Sequence, residues 1–313
     1  MILNTGSRTD IPAFYSEWFM NRVREGFVLV RNPYYPKQIY RYRLTPDVVD
    51  VLSFCTKNPG PMLEHLEELK RFRQLWYVTL TPYAKDIEPG VPDKHEVIRS
   101  FQKLSETIGS DAVIWRYDPV FLSERYTMEY HQRAFQKICS ELQGYTKRVV
   151  VSFIDLYQKT VKNFPEVREV SKTDQEILTE YFVKTAAAHG MQVYLCLEDK
   201  ALERFGAIAS GCMTQEVIED ALHIHLDVPR SQMNAREGCS CLLGSDIGMY
   251  NTCAHFCRYC YANYDRESVI RNMRMHDPAS PLLCGTVQKD DIITEAKQVS
   301  YLDGQMRLDF TEE

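Results

Sequence analysis

Short runs of β-branched and aromatic residues alternate along this chain with longer segments whose apolar positions recur every three or four residues. The first pattern is that of strands and the second that of helices laid against a sheet. Strands are expected at 2–5, 27–30, 48–54, 75–80, 112–115, 148–154, 192–197 and 242–247, and helices at 14–24, 62–72, 93–108, 123–142 and 172–189. Gly190 supplies the usual stop signal after the last of these helices. Eight strands with intervening helices predict an α/β fold, a (β/α)8 TIM-like barrel, with an open doubly wound sheet as the alternative. No fixed-period repeat, low-complexity tract or Gly/Ser linker interrupts the pattern, so 1–313 reads as a single domain. Within it, 239–262 is a cysteine-rich loop after the last strand and 263–313 a helical C-terminal extension.

Polar residues gather just after the expected strands: Ser7, Arg8, Thr9 and Asp10, then Thr56, Lys57 and Asn58, then Thr81, Arg116 and Asp118, Asp155, and Glu198. Taken singly these are helix caps and solvated loop residues, and Glu198-Asp199 reads as a cap for the helix that follows. Taken together on the C-terminal face of a barrel, they form a pocket for a polar or anionic ligand held by Arg8, Lys57 and Arg116. Asp10, Lys57, Arg116, Asp118 and Asp155 are the candidate catalytic residues, with Asp118 or Asp155 handling protons.

Composition narrows the class. The 313 residues are 44% hydrophobic and 26% charged, which is ordinary globular usage. A net charge of -6 gives no field of one sign to mark a nucleic-acid or membrane-surface binder. The N-terminus lacks the pattern of a signal peptide and no long apolar run follows, so a cytoplasmic protein is expected. Ten cysteines then call for metal or redox chemistry more than for a disulfide framework.

Those cysteines are unevenly placed. Cys55, Cys139, Cys196 and Cys284 stand alone, whereas Cys239, Cys241, Cys253, Cys257 and Cys260 crowd together, with Cys212 upstream. The CxxxCxxC spacing of Cys253, Cys257 and Cys260 lets three thiolates converge on a 4Fe-4S cluster while one iron stays open for substrate or cofactor. Cys239, Cys241 and Cys212 are further candidate ligands. Zinc is the competing reading, because Cys239/Cys241 and Cys257/Cys260 make two close pairs. His255 could be a ligand, but a loop histidine is more often a hydrogen-bonding neighbour, and it is left unassigned.

The CxxxCxxC loop, with Tyr259 just before its last cysteine, resembles that of radical S-adenosylmethionine enzymes, and Cys260-Tyr261-Ala262 is similar to spore photoproduct lyase and its relatives. Nearly the whole chain also resembles a family of uncharacterised bacterial proteins with a radical-SAM-like cysteine cluster at the C-terminal end. The residues carrying that likeness are Thr9-Asp10-Ile11-Pro12-Ala13-Phe14-Tyr15, Thr56-Lys57-Asn58-Pro59, Trp115-Arg116-Tyr117-Asp118-Pro119, Ser152-Phe153-Ile154-Asp155, and Cys239-x-Cys241 through Asp246-Ile247-Gly248 to Cys260. The resemblance implies a 4Fe-4S cluster whose open iron binds S-adenosylmethionine, with Tyr259 against its adenine and Arg8 as a second cofactor contact. It also implies a circularly permuted barrel, since the cysteine loop here follows the last strand, which in a closed barrel lies beside the first.

Two functions follow as expectations. One is an iron-sulfur enzyme of radical-SAM-like type that acts on a small-molecule or polymer substrate and draws on an electron donor. The other is a non-catalytic iron-sulfur or zinc protein that binds nucleic acid or a protein partner through Tyr259, Tyr261, Tyr264, Arg258 and Arg266.

Overall fold

The computed structural model describes residues 1–229, 240–242 and 244–303. In chain order the elements are β1 (Ile2–Asn4), α1 (Ile11–Phe14), α2 (Ser16–Glu25), β2 (Phe27–Arg31), β3 (Gln38–Arg43), β4 (Val51–Thr56), α3 (Leu66–Leu69), β5 (Gln74–Thr79) and α4 (Lys94–Ile108). They continue with β6 (Val113–Val120), α5 (Met128–Leu142), β7 (Arg148–Phe153), α6 (Gln158–Asn163), α7 (Lys172–Ala188), β8 (Gln192–Leu195), α8 (Gln215–Leu222), β9 (Ser245–Asp246), α9 (Arg266–Met273) and β10 (Ile292–Glu295).

Seven strands form one sheet in the order β8-β7-β6-β5-β4-β1-β9, and each neighbouring pair is parallel. The last strand does lie beside the first, at Leu3 opposite Ser245 and Asn4 opposite Asp246. A closed eight-stranded barrel is not shown, however, because β8 and β9 are the sheet's edges among the described residues. One reason is that the strand expected at 27–30 belongs elsewhere. As β2 it pairs antiparallel with β3, and β10 pairs parallel with the other side of β3 to make a separate three-stranded sheet. A connection as short as 32–37 joins β2 directly to β3, and so brief a link favours an antiparallel neighbour over a parallel one. The segment 263–303 therefore holds one helix and one strand, and is not wholly helical.

Side-chain alternation divides the seven-stranded sheet into two faces. Leu3, Leu52, Phe54, Trp76, Val78, Val113, Trp115, Tyr117, Val149 and Val151 pack with Phe101, Phe135, Leu178 and Phe182 of the covering helices. The opposite face begins apolar, with Ile2, Val51, Leu75, Ile114 and Val150 packed on Val217, Ile218 and Ala221 of α8. Helix α8 thus covers the apolar part of this inner face. Between β8 and β9 the backbone is joined by isolated contacts: Ile208 forms a parallel bridge with Tyr194, and the Leu242 N–H donates to the Met213 carbonyl at 2.8 Å. Further along each strand the same inner face turns polar and sulfur-bearing, through Ser53, Cys55, Thr79, Arg116, Asp118 and Ser152, and there it opens into a cavity. No helix among the described residues is long and apolar enough to cross a membrane.

A cysteine-lined cavity as the candidate site

The cavity, of about 290 Å³, sits at the C-terminal ends of the parallel strands. Asp10, Lys57, Arg116, Asp118, Asp155, Tyr259, Cys253, Cys257, Cys260, Cys212 and Cys241 all line it, although they come from loops far apart in sequence. Arg8 is not among its lining residues. Its guanidinium is turned back onto Asp246, with Nε donating to Oδ1 at 2.8 Å, and it lies near the Tyr250 ring. Cys239 lies outside the described residues.

The cysteine loop is held in place by backbone and buried polar contacts. The Tyr15 hydroxyl donates to the Thr252 carbonyl at 2.6 Å, and Asn263 Nδ2 donates to the Cys253 carbonyl at 2.8 Å. His255 Nε2 lies 2.8 Å from Asp10 Oδ2, and both residues are buried. Asp10 is therefore a structural hub. Its carboxylate caps α1 through the Ala13 N–H, accepts the Lys57 N–H and meets His255, tying three loops together. Phe256 holds a left-handed φ of 53° within the loop, a conformation costly for a residue with a Cβ.

Residues 87–90 run along this loop as a backing strip. Arg258 N–H donates to the Ile87 carbonyl at 3.0 Å and Gly90 N–H to the His255 carbonyl at 2.9 Å. A Cβ at Gly90 would come within 2.1 Å of the Ala254 carbonyl oxygen, so only glycine permits this approach. Gly90→Ala is expected to displace the cysteine loop while sparing the sheet. It should change the alkylation rates of Cys253, Cys257 and Cys260 several-fold while far-UV circular dichroism stays near that of the parent, and unchanged rates would show that the strip does not position the loop.

A buried ionic network joins this strip to the cavity. Glu88 has a fully buried carboxylate. Its Oε1 accepts from Lys57 Nζ at 2.8 Å and from Thr81 Oγ1 at 2.7 Å. It also accepts from the Tyr259 hydroxyl, while Oε2 accepts from Lys94. Burial alone would raise the Glu88 pKa, but the two ammonium groups override it and hold the carboxyl at about 2. The Lys57 ammonium lies over the Tyr259 ring, 5.5 Å from its centroid. Burial pushes the Cys253, Cys257 and Cys260 thiols up, and Lys57 partly counters this at Cys257.

On the opposite wall, Arg116 and Asp118 lie two residues apart on β6 and so share the cavity face. Arg116 pairs with Asp118 and donates through Nη1 to Cys55 Sγ at 3.2 Å. Its Nε has no hydrogen-bond partner among the described residues. Ser152 Oγ donates to Asp118 Oδ1 at 2.5 Å. Asp155 takes a 3.0 Å hydrogen bond from the Tyr157 hydroxyl.

Glu198 and Asp199 take separate roles. Asp199 caps the turn that follows, accepting the Ala201 N–H at 2.9 Å. Glu198 instead accepts the Phe153 N–H at 2.8 Å. Burial, with Asp155 and Asp118 nearby, raises its carboxyl to about 8.

Three features escape a reading of the sequence. Glu88 sits in an acidic, proline-flanked loop with no motif around it, and Glu198 reads as a cap. Cys196 stands alone in the sequence, yet its sulfur lies 3.4 Å from that of Cys212. The basic-aromatic set divides. Tyr261 and Tyr264 are exposed at the surface, whereas Tyr259 is bonded inward to Glu88 and Arg258 is paired with Glu166. Among the described residues no group of three or more His, Cys, Asp or Glu side chains is arranged to hold a single metal ion. No curated protein matches the chain. The family model described as Domain of unknown function (DUF1848) matches residues 2–262, from the first strand through the cysteine loop, and the chain belongs to that family.

Proposed function

We propose that this chain is an iron-sulfur enzyme whose 4Fe-4S cluster is held by Cys253, Cys257 and Cys260, and that it acts on a polar or anionic substrate in the adjoining cavity. The observation that carries this reading is convergence: the three thiols of the CxxxCxxC loop open into the same cavity as Lys57, Arg116, Asp118 and Asp155. The CxxxCxxC spacing and the soft thiolate donors suit an iron-sulfur cluster. Bound there, the cluster supplies an electron and, at its open iron, a binding position for a cofactor such as S-adenosylmethionine. In the same reading, the parallel sheet with its last strand beside its first corresponds to a circularly permuted barrel of the radical-SAM type.

The chain's own residues have separable tasks. Arg116, with an unpartnered Nε directed from a strand of the inner face, binds an anionic substrate group. Asp118 and Ser152 hold that guanidinium in register. Asp118 or Asp155, both of which line the cavity, handles protons. Glu88 and Lys57 orient Tyr259 beside the cluster ligands.

Iron, acid-labile sulfide and zinc should be measured in anaerobically purified protein. About four iron and four sulfide per chain are expected, and addition of S-adenosylmethionine to the reduced protein should perturb its electron paramagnetic resonance signal. Stoichiometric zinc without sulfide would replace this reading with a zinc protein.

A further inference from the structure

Three cysteines away from the CxxxCxxC loop meet on the inner face of the sheet. Cys196 follows β8, Cys212 precedes α8, and Cys241 precedes β9. Cys212 Sγ lies 3.4 Å from Cys196 Sγ and 3.6 Å from Cys241 Sγ, so Cys212 is the middle of a chain of touching thiols. All three line the cavity. Cys212 and Cys241 are buried, and Cys196 is partly exposed.

The backbone around the middle sulfur is fixed from several sides. The Tyr77 hydroxyl donates to the Cys212 carbonyl at 2.9 Å, and Ser53 Oγ donates to Met213 Sδ at 3.3 Å. The Met213 N–H donates to Cys241 Sγ at 3.3 Å. Gly211 has a φ of 122°, and a Cβ there would come within 3.0 Å of Cys241 Sγ, so the approach of these segments depends on its lacking a side chain. Free cysteines commonly serve as small buried hydrophobes. That role explains Cys139, on the buried side of α5 in the apolar core. It does not explain three sulfurs in mutual contact on a cavity wall, one of them within reach of solvent.

We propose that Cys196, Cys212 and Cys241 form a thiol-disulfide exchange site whose co-substrate is a low-molecular-weight disulfide entering the cavity. The Cys196 thiolate attacks one sulfur of the incoming disulfide, forming a protein mixed disulfide and releasing one small thiol. The Cys212 thiolate then attacks the Cys196 sulfur, closing the Cys196–Cys212 disulfide and releasing the second small thiol. Two protein thiols are oxidised, one small disulfide is reduced to two thiols, and the two protons given up by the cysteines are taken by the leaving thiolates. Closure needs the sulfurs to move from 3.4 Å to the bonded separation of about 2.0 Å, a displacement within reach of side-chain rotation. Cys241 is the reserve partner, able to pair with Cys212 when Cys196 is missing. This site is independent of the iron-sulfur reading.

The test uses the full chain, purified anaerobically, with iron, sulfide and zinc counted beforehand. Incubation with oxidised glutathione, alkylation without reduction and peptide mapping should reveal a peptide pair linked through Cys196 and Cys212, with two equivalents of glutathione released per link. Cys212→Ser should stop the reaction at a glutathione adduct on Cys196, with one equivalent released. Cys196→Ser should shift the link to Cys212 and Cys241. Recovery of all three residues as alkylated free thiols in the wild-type protein would overturn the proposal without any variant having to fold. It would also fall if metal is retained that Cys212→Ser loses while Cys257→Ser keeps it, because the thiols would then be ligands. Iron loss confined to Cys257→Ser concerns only the CxxxCxxC loop, so failure of one site is distinguishable from failure of the other.

Discussion

Cys257→Ser is expected to reduce the iron and sulfide of anaerobically purified protein to below about a quarter of the wild-type content, because a cubane with two of its three loop thiolates is poorly retained. The effect should be local. Cys257 stands in the loop between β9 and α9 and lines the cavity, so circular dichroism and the thermal midpoint of the iron-free protein should change little. Cys139→Ser is the control. Cys139 is buried on the core side of α5 and is not among the residues lining the cavity, and burial pushes its thiol up to about 12. Its replacement should cost stability and leave iron content intact. Equal iron content in Cys257→Ser and wild type would remove Cys257 as a ligand and, with it, the proposed cluster site.

Glu88→Gln should destabilise the fold by about 3–5 kcal/mol, the range for breaking a buried ion pair from one side. The carboxylate is fully buried between Lys57 and Lys94, whose side chains are 13% and 28% exposed. An amide in its place would leave two ammonium groups close together with no countercharge. Adding Lys57→Met to Glu88→Gln should recover part of the loss, and a double-mutant cycle would measure it. The pH dependence has a definite sign. The Glu88 carboxyl is held at about 2, below the ordinary glutamate value of 4.5, so its stabilisation is fully present above 4.5 and is lost as pH falls toward about 2. Urea midpoints for wild type should therefore drop through this acid window, and those for Glu88→Gln should drop less. Parallel curves would show that the network adds no pH-dependent stability.

The same variant bears on the site. Glu88 holds the Tyr259 hydroxyl and the Lys57 ammonium from behind, so its loss should loosen the wall next to Cys257. Wild-type iron content with lowered stability would assign Glu88 to the fold alone.

Much of the local architecture was legible because periodicity reports burial. The 192–197 pattern yields β8, the 93–108 pattern yields α4 from Lys94, and the 172–189 pattern yields α7 from Lys172. The α/β class follows from such alternation, since each element needs a layer to bury its apolar side. The convergence of residues just after the strands was also legible. Parallel strands point their C-terminal ends the same way, and Asp10, Lys57 and Asp155 consequently meet in one cavity, together with Arg116, which was expected after a strand but stands on β6 itself.

Which strands pair was decided only in three dimensions. Nothing in the composition of 27–30 distinguishes it from the other apolar runs, yet it pairs with β3, in a three-stranded sheet with β10, outside the main sheet. Strand-like composition reports how much of a segment is buried, while partner choice depends on connections and on what else fills the inner face, here α8. The same limit applies to the charges. Sequence places Arg8 with Lys57 and Arg116, but only the fold turns it onto Asp246. Glu88 and Cys196 likewise acquire their surroundings from residues distant in the chain. A sequence determines the chemical groups and the faces on which they stand. Their pairing, burial and protonation depend on which distant groups come within a few ångströms, and tertiary packing alone decides that.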